Sequence, residues 1–513
     1  MSKFETLDIH EEINRLEKQI QDLYQEDDVP WIVGYSGGKD STATLQLTWS
    51  AIEKLPPEKR HKKIYVISTD TLVENPVVAM WVTASLEKIK IEASKKNLPF
   101  FPNRLTPEID DSFWVNLIGR GYPAPRPKFR WCTERLKITP ANKFIMDVVS
   151  EKSQAIMLLG VRKAESAQRK HTIEKYENSS RTLLDKNSDP SLAGVWIYGP
   201  IKDWANDDVW EYLATFDNPW GYDNKDLIDM YRAGTEDNEC PLVMDKSTPS
   251  CGDSRFGCFV CTLVDKDKSM EAMITNDAEK KWMTPLSEFR NKYLDITDDH
   301  KHRDFRRRSG AIMLMNIKDT PDKKLIPGPY KQSYRRVLLT ELLKAQEKVR
   351  SSGVKGTEDF VIIADEELRK IRSLWINDNH EIEDWVPEIY EEATGRSFKE
   401  IEKRNPAMLS KDDLKVLKDT IGDQVDEDHI HYKLVRNLLH LEHTYSKSTR
   451  RTGIYEAIEK EIKKGAFENE HEAITYLKNR ENTLEFTEVL PNPTQNSSIF
   501  EINEEADTDP SKI

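Results

Sequence analysis

Trp31-Ile32-Val33-Gly34-Tyr35-Ser36-Gly37-Gly38-Lys39-Asp40-Ser41-Thr42 is the stretch that decides the fold. Its apolar start predicts a buried strand. The two adjacent glycines predict a turn whose backbone N–H groups approach an anion with no Cβ in the way. Asp40-Ser41-Thr42 opens a helix whose N-terminus carries partial positive charge, and Lys39 adds a full one. Ser36, Ser41 and Thr42 add hydroxyl donors. The whole suits a pyrophosphate, with Ser36 and Lys39 expected on a surface turn that contributes little to core packing. A Walker A loop would need glycine at Val33 and Ser or Thr at Asp40. Gly34, Ser36 and Lys39 likewise do not fit a dinucleotide fingerprint.

Working outward, strand-like runs at 31–36, 63–69, 154–161 and 196–202 alternate with helical stretches near 40–55, 76–96, 139–150 and 205–215. Such alternation predicts an α/β class with a parallel sheet, helices on both faces, and ligands at the carboxyl ends of the strands. Leu7, Ile9, Ile13, Leu16, Ile20 and Leu23 predict an amphipathic helix over 6–25. Residues 330–480 read as mostly helical, with Ile454, Ile458 and Ile462 in one stripe and an N-cap at Ser410. Segments 178–193 and 351–358 read as loops, and the tail from Pro491 as disordered. The chain divides into an N-terminal helix (1–30), the α/β domain (31–215), a cysteine-bearing segment (216–300), a helical C-terminal region (301–480) and a tail (481–513).

The chain has 513 residues, 37% of them hydrophobic and 32% charged, enough apolar content to build a core. No apolar run approaches the ~18 residues of a membrane span. The first residues lack the pattern of a signal peptide, so a cytoplasmic location is expected. In that compartment five cysteines point to metal ligands or catalytic thiols before disulfides. A net charge of −14 argues against a chain coated for nucleic acid, and local patches then decide. Lys301-His302-Arg303-Asp304-Phe305-Arg306-Arg307-Arg308, with Lys331, Arg335 and Arg336 further on, is one such patch. It reads equally as a phosphate contact and as a solvated, carboxylate-paired face.

Cys240, Cys251, Cys258 and Cys261 end in Cys-x-x-Cys and can close a tetrahedral shell around a metal. Zinc and a [4Fe–4S] cluster both fit, and spacing alone does not choose. Cys132 stands alone, more than 100 residues earlier. Arg126, Lys128 and Arg130 precede it and Arg135 and Lys137 follow, which predicts a lowered thiol pKa. It reads either as a sulfur carrier in the nucleotide crevice, apart from the cluster, or as a buried apolar Cys. His440 and His443 read as packing or exposed histidines.

Ser36-Gly-Gly-Lys-Asp-Ser41 closely resembles the PP-loop of ATP pyrophosphatases, the family that includes PAPS reductase. Trp131-Cys132-Thr133-Glu134-Arg135-Leu136-Lys137 resembles that family's C-x-x-R-K segment, with Leu136 inserted. Gly160-Val161-Arg162-Lys163-Ala164-Glu165-Ser166 resembles its G-x-R-x-x-E-S motif. Asp207-Asp208-Val209-Trp210 is a further family-like element, read as packing. With the late cysteines, the set resembles the DndC family of DNA phosphorothioation sulfurtransferases. The resemblance implies a PP-loop (adenine nucleotide alpha hydrolase-like) fold. It implies that ATP, with Mg2+, is held by Ser36, Gly37, Gly38, Lys39, Asp40, Ser41, Thr42, Asp70, Arg135, Lys137, Gly160 and Arg162. Asp70, at the end of the second strand, reads equally as a turn former. Lys39, Cys132 and Arg135 would carry catalysis. The resemblance further implies a [4Fe–4S] cluster, a cysteine desulfurase as sulfur donor, DndD and DndE as partners, and DNA as substrate. PAPS or APS reductase, tRNA thiolase and a non-catalytic nucleotide-binding subunit are the alternatives.

Overall fold

The computed structural model describes residues 3–4, 8–176, 183–187, 189–234, 256–316, 323–398, 409–421, 429–446, 451–467 and 469–487. The chain forms two compact units. One comprises 1–113, 125–294 and 352–358; the other comprises 114–124, 295–351 and 359–513.

The first unit is built on a six-stranded sheet. Strands β1 (Trp31–Gly34), β2 (Ile64–Thr69), β3 (Phe100–Leu105), β4 (Ala155–Leu158), β5 (Asp185–Lys186) and β6 (Val195–Tyr198) lie in the order β3-β2-β1-β4-β6-β5. All neighbours are parallel except the short β5, which runs antiparallel to β6. Trp31, Ile32 and Val33 are fully buried, as a central strand covered on both faces requires. β1 pairs with β2 on one side, Trp31 opposite Ile64, and with β4 on the other, Trp31 opposite Ile156. The chain moves outward from β1 to β3, then returns to β4 on the opposite side. The carboxyl ends of β1 and β4 therefore flank the switch point where open α/β sheets hold ligands.

Helices cover the sheet. α1 (Ile9–Glu26) starts where the Asp8 side chain accepts from the His10 and Glu11 N–H groups. It buries Ile13, Leu16, Ile20 and Leu23. α2 (Lys39–Glu53) is buried along most of its length, and Trp49 stacks on Phe100 with ring centroids 4.7 Å apart. α3 (Pro76–Lys95) is capped by Asn75, whose side chain accepts from the Val77 N–H, with Pro76 in the first turn. Ile145 and Val148 of the 139–152 helix pack with Ile32, Ile67, Ala155 and Val195.

β3 and β5 fall outside the predicted strands. β3 carries Pro102, Asn103 and Arg104 and lies at the sheet edge, where a missing N–H is tolerated. β5 is two residues long inside a segment read as a loop. The tail from Pro491 lies outside the described residues.

The second unit is mainly helical. The helix Gln332–Arg350 buries Leu338, Leu339, Leu342, Leu343 and Val349. Residues 114–124 belong here: Trp114 Nε1 donates to the Ile362 carbonyl at 2.8 Å, and Trp375 Nε1 to the Ile118 carbonyl at 3.0 Å. Ser410 Oγ accepts from the Asp413 N–H at 3.1 Å, capping Lys411–Ile421. Ile454–Lys464 is a helix, with Ile454 buried and Ile462 exposed. Among the described residues no helix is long and apolar enough to cross a membrane.

Candidate functional site

β1 delivers the chain into a tight turn. Gly37 has φ +72°, and a Cβ there would sit 2.5 Å from Val82 Cγ2. Glycine is thus required both by conformation and by the close approach of α3. Trp81 Nε1 donates to the Gly37 carbonyl at 3.2 Å. Ser41 Oγ donates to the Gly38 carbonyl at 3.0 Å, accepts from the Ser36 N–H at 3.2 Å, and lies 3.1 Å from Ser36 Oγ. These bonds fix the loop's shape. Gly38 has no side-chain cap to offer the first turn of α2, so an anion there meets an open helix N-terminus.

Lys39 is not on a surface turn. It is 8% exposed, its ammonium 5.9 Å from the Trp210 ring centroid and 5.5 Å from that of Tyr231. Tyr231 Oη accepts from the Lys39 N–H at 3.3 Å. Burial pushes the ammonium's pKa down, and Arg162 adds to that, while Asp40 and Glu165 oppose it. The Lys39 ammonium lies 3.5 Å from Asp40 Oδ2, a carboxylate it shares with Arg162, so a phosphate would add counter-charge to a buried pair of cations served by one anion. Ser36, by contrast, is exposed as expected.

Gly160, two residues past the end of β4, lies against α2: a Cβ there would lie 2.6 Å from the backbone C and O of Asp40. Arg162 follows and is 3% exposed. Its Nε donates to Asp40 Oδ1 at 2.6 Å and its Nη1 to the Trp204 carbonyl at 3.5 Å. Arg162 therefore positions Asp40 and the first turn of α2. Asp70, 8% exposed, accepts from the Leu72 N–H at 2.9 Å and pairs with Arg104. Asp70 thus forms a turn just past the carboxyl end of β2. Arg135 pairs with Asp111, and Lys137 Nζ lies 3.9 Å from Glu74 Oε1.

The segment holding Cys258 and Cys261 docks on the loop after β2. Glu74 and Cys258 form an antiparallel bridge, Phe259 N–H donates to the Val73 carbonyl at 3.0 Å, and Asn75 N–H donates to the Gly257 carbonyl at 3.2 Å. Thr71 Oγ1 lies 3.3 Å from Cys258 Sγ. Burial pushes the Cys258 thiol up to about 11, and the nearby Cys132 adds to the shift. The Cys132 thiol is itself pushed up, first by burial and further by Cys261. Two expectations are corrected here. The pKa of Cys132 is raised, because burial outweighs the hydrogen bonds from Thr133 that lower it. The distance in sequence does not persist in space, because Cys132 lies within electrostatic reach of both thiols of the Cys-x-x-Cys pair. Cys240 and Cys251 lie outside the described residues. Among the described residues no group of three or more His, Cys, Asp or Glu is placed to hold a metal ion.

Residues 30–262 match the phosphoadenosine phosphosulfate reductase domain family. This segment has a PP-loop, PAPS reductase-like fold. The chain is 26% identical over 278 residues to the uncharacterized protein MJ0066 of Methanocaldococcus jannaschii, covering 53% of this chain and 45% of that protein. It thus spans less than half the length of that relative. Among solved structures it is similar to PAPS reductase from Candida auris in a phosphate complex. That likeness has 13% identity and a TM-score of 0.24, covering 39% of this chain and 83% of that one. It is also similar to the U34-tRNA thiolase NcsA from Methanococcus maripaludis with its [4Fe-4S] cluster. There the identity is 13% and the TM-score 0.26, covering 56% of this chain and 81% of that one.

Within the PAPS reductase-like domain, four contributors carry no sequence signal strong enough to find them. Tyr231 and Trp81 belong to no motif. Trp210 sits in the family-like Asp-Val-Trp element but reads as packing, and only the fold brings its ring over Lys39. Arg104 lies in the unpredicted β3, beside Asp70.

Proposed function

We propose that this protein is an ATP-dependent sulfurtransferase that modifies a DNA backbone phosphate. The observation carrying this reading is the junction of two chemistries at the carboxyl edge of one sheet. The glycine loop with buried Lys39 follows β1, and the Cys258–Cys261 pair is docked on the loop after β2.

A non-bridging phosphate oxygen is too poor a leaving group to be displaced directly. ATP removes that obstacle. The phosphodiester oxygen attacks the α-phosphorus, the bond to the bridging oxygen breaks, and pyrophosphate departs. Lys39, the N-terminus of α2 and the Ser36 hydroxyl hold the departing charge, worth roughly 100-fold or more in rate for a preorganised donor, and Ser41 braces the loop. A sulfur nucleophile at the oxidation level of hydrosulfide then attacks the activated phosphorus, and AMP leaves carrying the oxygen. Arg162 keeps Asp40 and the loop in register throughout.

Mg2+ would enter bound to the ATP phosphates, because Asp40 and Asp70 are each already paired with an arginine. A [4Fe–4S] cluster would take Cys258 and Cys261, with Cys240 and Cys251, as thiolate ligands. Free thiols flexed into a Cys-x-x-Cys turn, with the Cys261 N–H on the Cys258 carbonyl at 2.9 Å, suit that donor set. When bound, the cluster supplies thiophilic iron beside the nucleotide loop. A cysteine desulfurase would feed sulfur as a persulfide, from which an external dithiol reductant, oxidised to its disulfide, would release hydrosulfide, and DndD and DndE would be the working partners.

The match of residues 30–262 favours one second reading, a reductase of an adenylylated sulfate. Incubation with labelled ATP and with PAPS separates the two. AMP and pyrophosphate from ATP support the transferase; sulfite from PAPS supports the reductase. Neither product would leave a nucleotide-binding subunit without catalysis and overturn the proposal.

A further inference from the structure

The basic patch at 301–308 has no part in the nucleotide chemistry, yet it builds a cavity within the second unit by itself. Arg306, Arg307 and Arg308 from one loop meet Lys331 and Arg335 of Gln332–Arg350 and its cap, with further cations from Ile430–Ser446 and Ile454–Lys464. The cavity has a volume of about 550 Å3 and is lined by ten Lys or Arg residues against four Asp or Glu. This is a cationic excess inside a chain whose net charge is −14.

Three of the four carboxylates are already engaged. Asp304 takes Arg306 at 3.0 Å, Glu461 takes Lys464 at 2.6 Å, and Glu381 takes Arg335. Arg335 is 5% exposed, and its Nη1 has no hydrogen-bond partner among the described residues. The buried Nε2 of Gln332, also on the lining, has none either. A buried guanidinium donor without an acceptor is destabilising, and a bound oxyanion removes that cost. Burial pushes Arg308 down from its ordinary pKa, and Arg120 across the cavity contributes. Burial also raises the Glu381 carboxyl, and its Oε2 has no hydrogen-bond partner among the described residues.

We propose that this cavity is a phosphate-binding site, taking the phosphate groups of a nucleic-acid backbone or of a free polyphosphate. It is separate from the glycine loop and does not rest on the sulfurtransferase reading.

The test uses the full chain carrying Lys39→Ala, so that the glycine loop does not mask the result. Tripolyphosphate binding is measured by calorimetry, and binding of a labelled DNA duplex by fluorescence anisotropy. Adding Lys433→Glu and Lys460→Glu is expected to weaken binding at least 10-fold and to reduce the salt slope for the duplex by about 2. Hydrogen exchange on the unaltered chain gives a second reading that needs no variant: tripolyphosphate should protect 306–310 and 430–437. A duplex displaced by tripolyphosphate identifies the backbone as the source. Tripolyphosphate binding without duplex binding identifies a free polyphosphate. Binding unchanged by the two charge reversals, or absent with no protection, overturns the proposal.

Discussion

Arg162 Nε donates to Asp40 Oδ1 at 2.6 Å, tying the loop after β4 to the first turn of α2. The pair is largely buried, with side-chain exposures of 4% and 22%. Removing Arg162 leaves Asp40 with a lost partner in a place water barely reaches. Arg162→Ala should cost about 2–4 kcal/mol, read as a lower midpoint of urea unfolding. Arg162→Ala with Asp40→Ala should recover part of that loss. A single variant as stable as the parent would remove the positioning role.

Lys39 and Ser36 are expected to separate. Ser36→Ala, on an exposed side chain, should leave the melting temperature unchanged and slow AMP formation about 10- to 100-fold, the worth of a hydrogen bond to a charged group. Lys39→Ala should slow it by 100-fold or more and also disturb the packing under Trp210 and Tyr231. Unaltered ATP turnover in a folded Lys39→Ala protein would exclude the loop as the nucleotide site.

The cysteines give a colour test. Protein purified without oxygen should be brown and should bleach on reduction. Cys258→Ser and Cys261→Ser should lose iron and destabilise their surroundings, since metal binding here is part of folding. The electrostatic reach between Cys132 and this pair predicts that Cys132→Ser also lowers iron content. A colourless protein with one equivalent of zinc would show a structural staple; full iron in Cys132→Ser would return Cys132 to a separate role.

His380 makes the second unit acid-sensitive. It is 8% exposed, and its Nδ1 lies 2.8 Å from His440 Nδ1. Burial pushes it from 6.5 down to about 4, with His440, Lys464 and Arg436 adding to the effect and Glu461 opposing it. Between those values the unfolded chain binds a proton that the folded chain refuses. Stability is therefore full above about pH 6.5 and falls as pH drops toward 4, by up to about 3 kcal/mol. His380→Gln should flatten the profile in that window; an unchanged slope would assign the acid sensitivity to other groups.

What the sequence revealed and what it concealed divide along physical lines. β1, the glycine turn and α2 were legible because an apolar run, two glycines and a helix start are local signals. β2, β4 and β6 were legible for the same reason. β3 was hidden because an edge strand tolerates Pro102 and polar residues that break the pattern. The burial of Lys39 was hidden because its walls, Trp210 and Tyr231, arrive from helices more than 160 residues away. The approach of Cys132 to Cys258 and Cys261, and the recruitment of 114–124 into the second unit, are likewise products of tertiary packing.

The central claim is transfer of sulfur to DNA powered at the glycine loop. Its most direct measurement is mass spectrometry of nuclease-digested DNA from cells carrying the intact gene, the gene deleted, or the gene encoding Lys39→Ala. Sulfur-containing dinucleotides should be present in the first and absent from the other two. The same dinucleotides persisting after deletion, or absent from all three, would contradict the account.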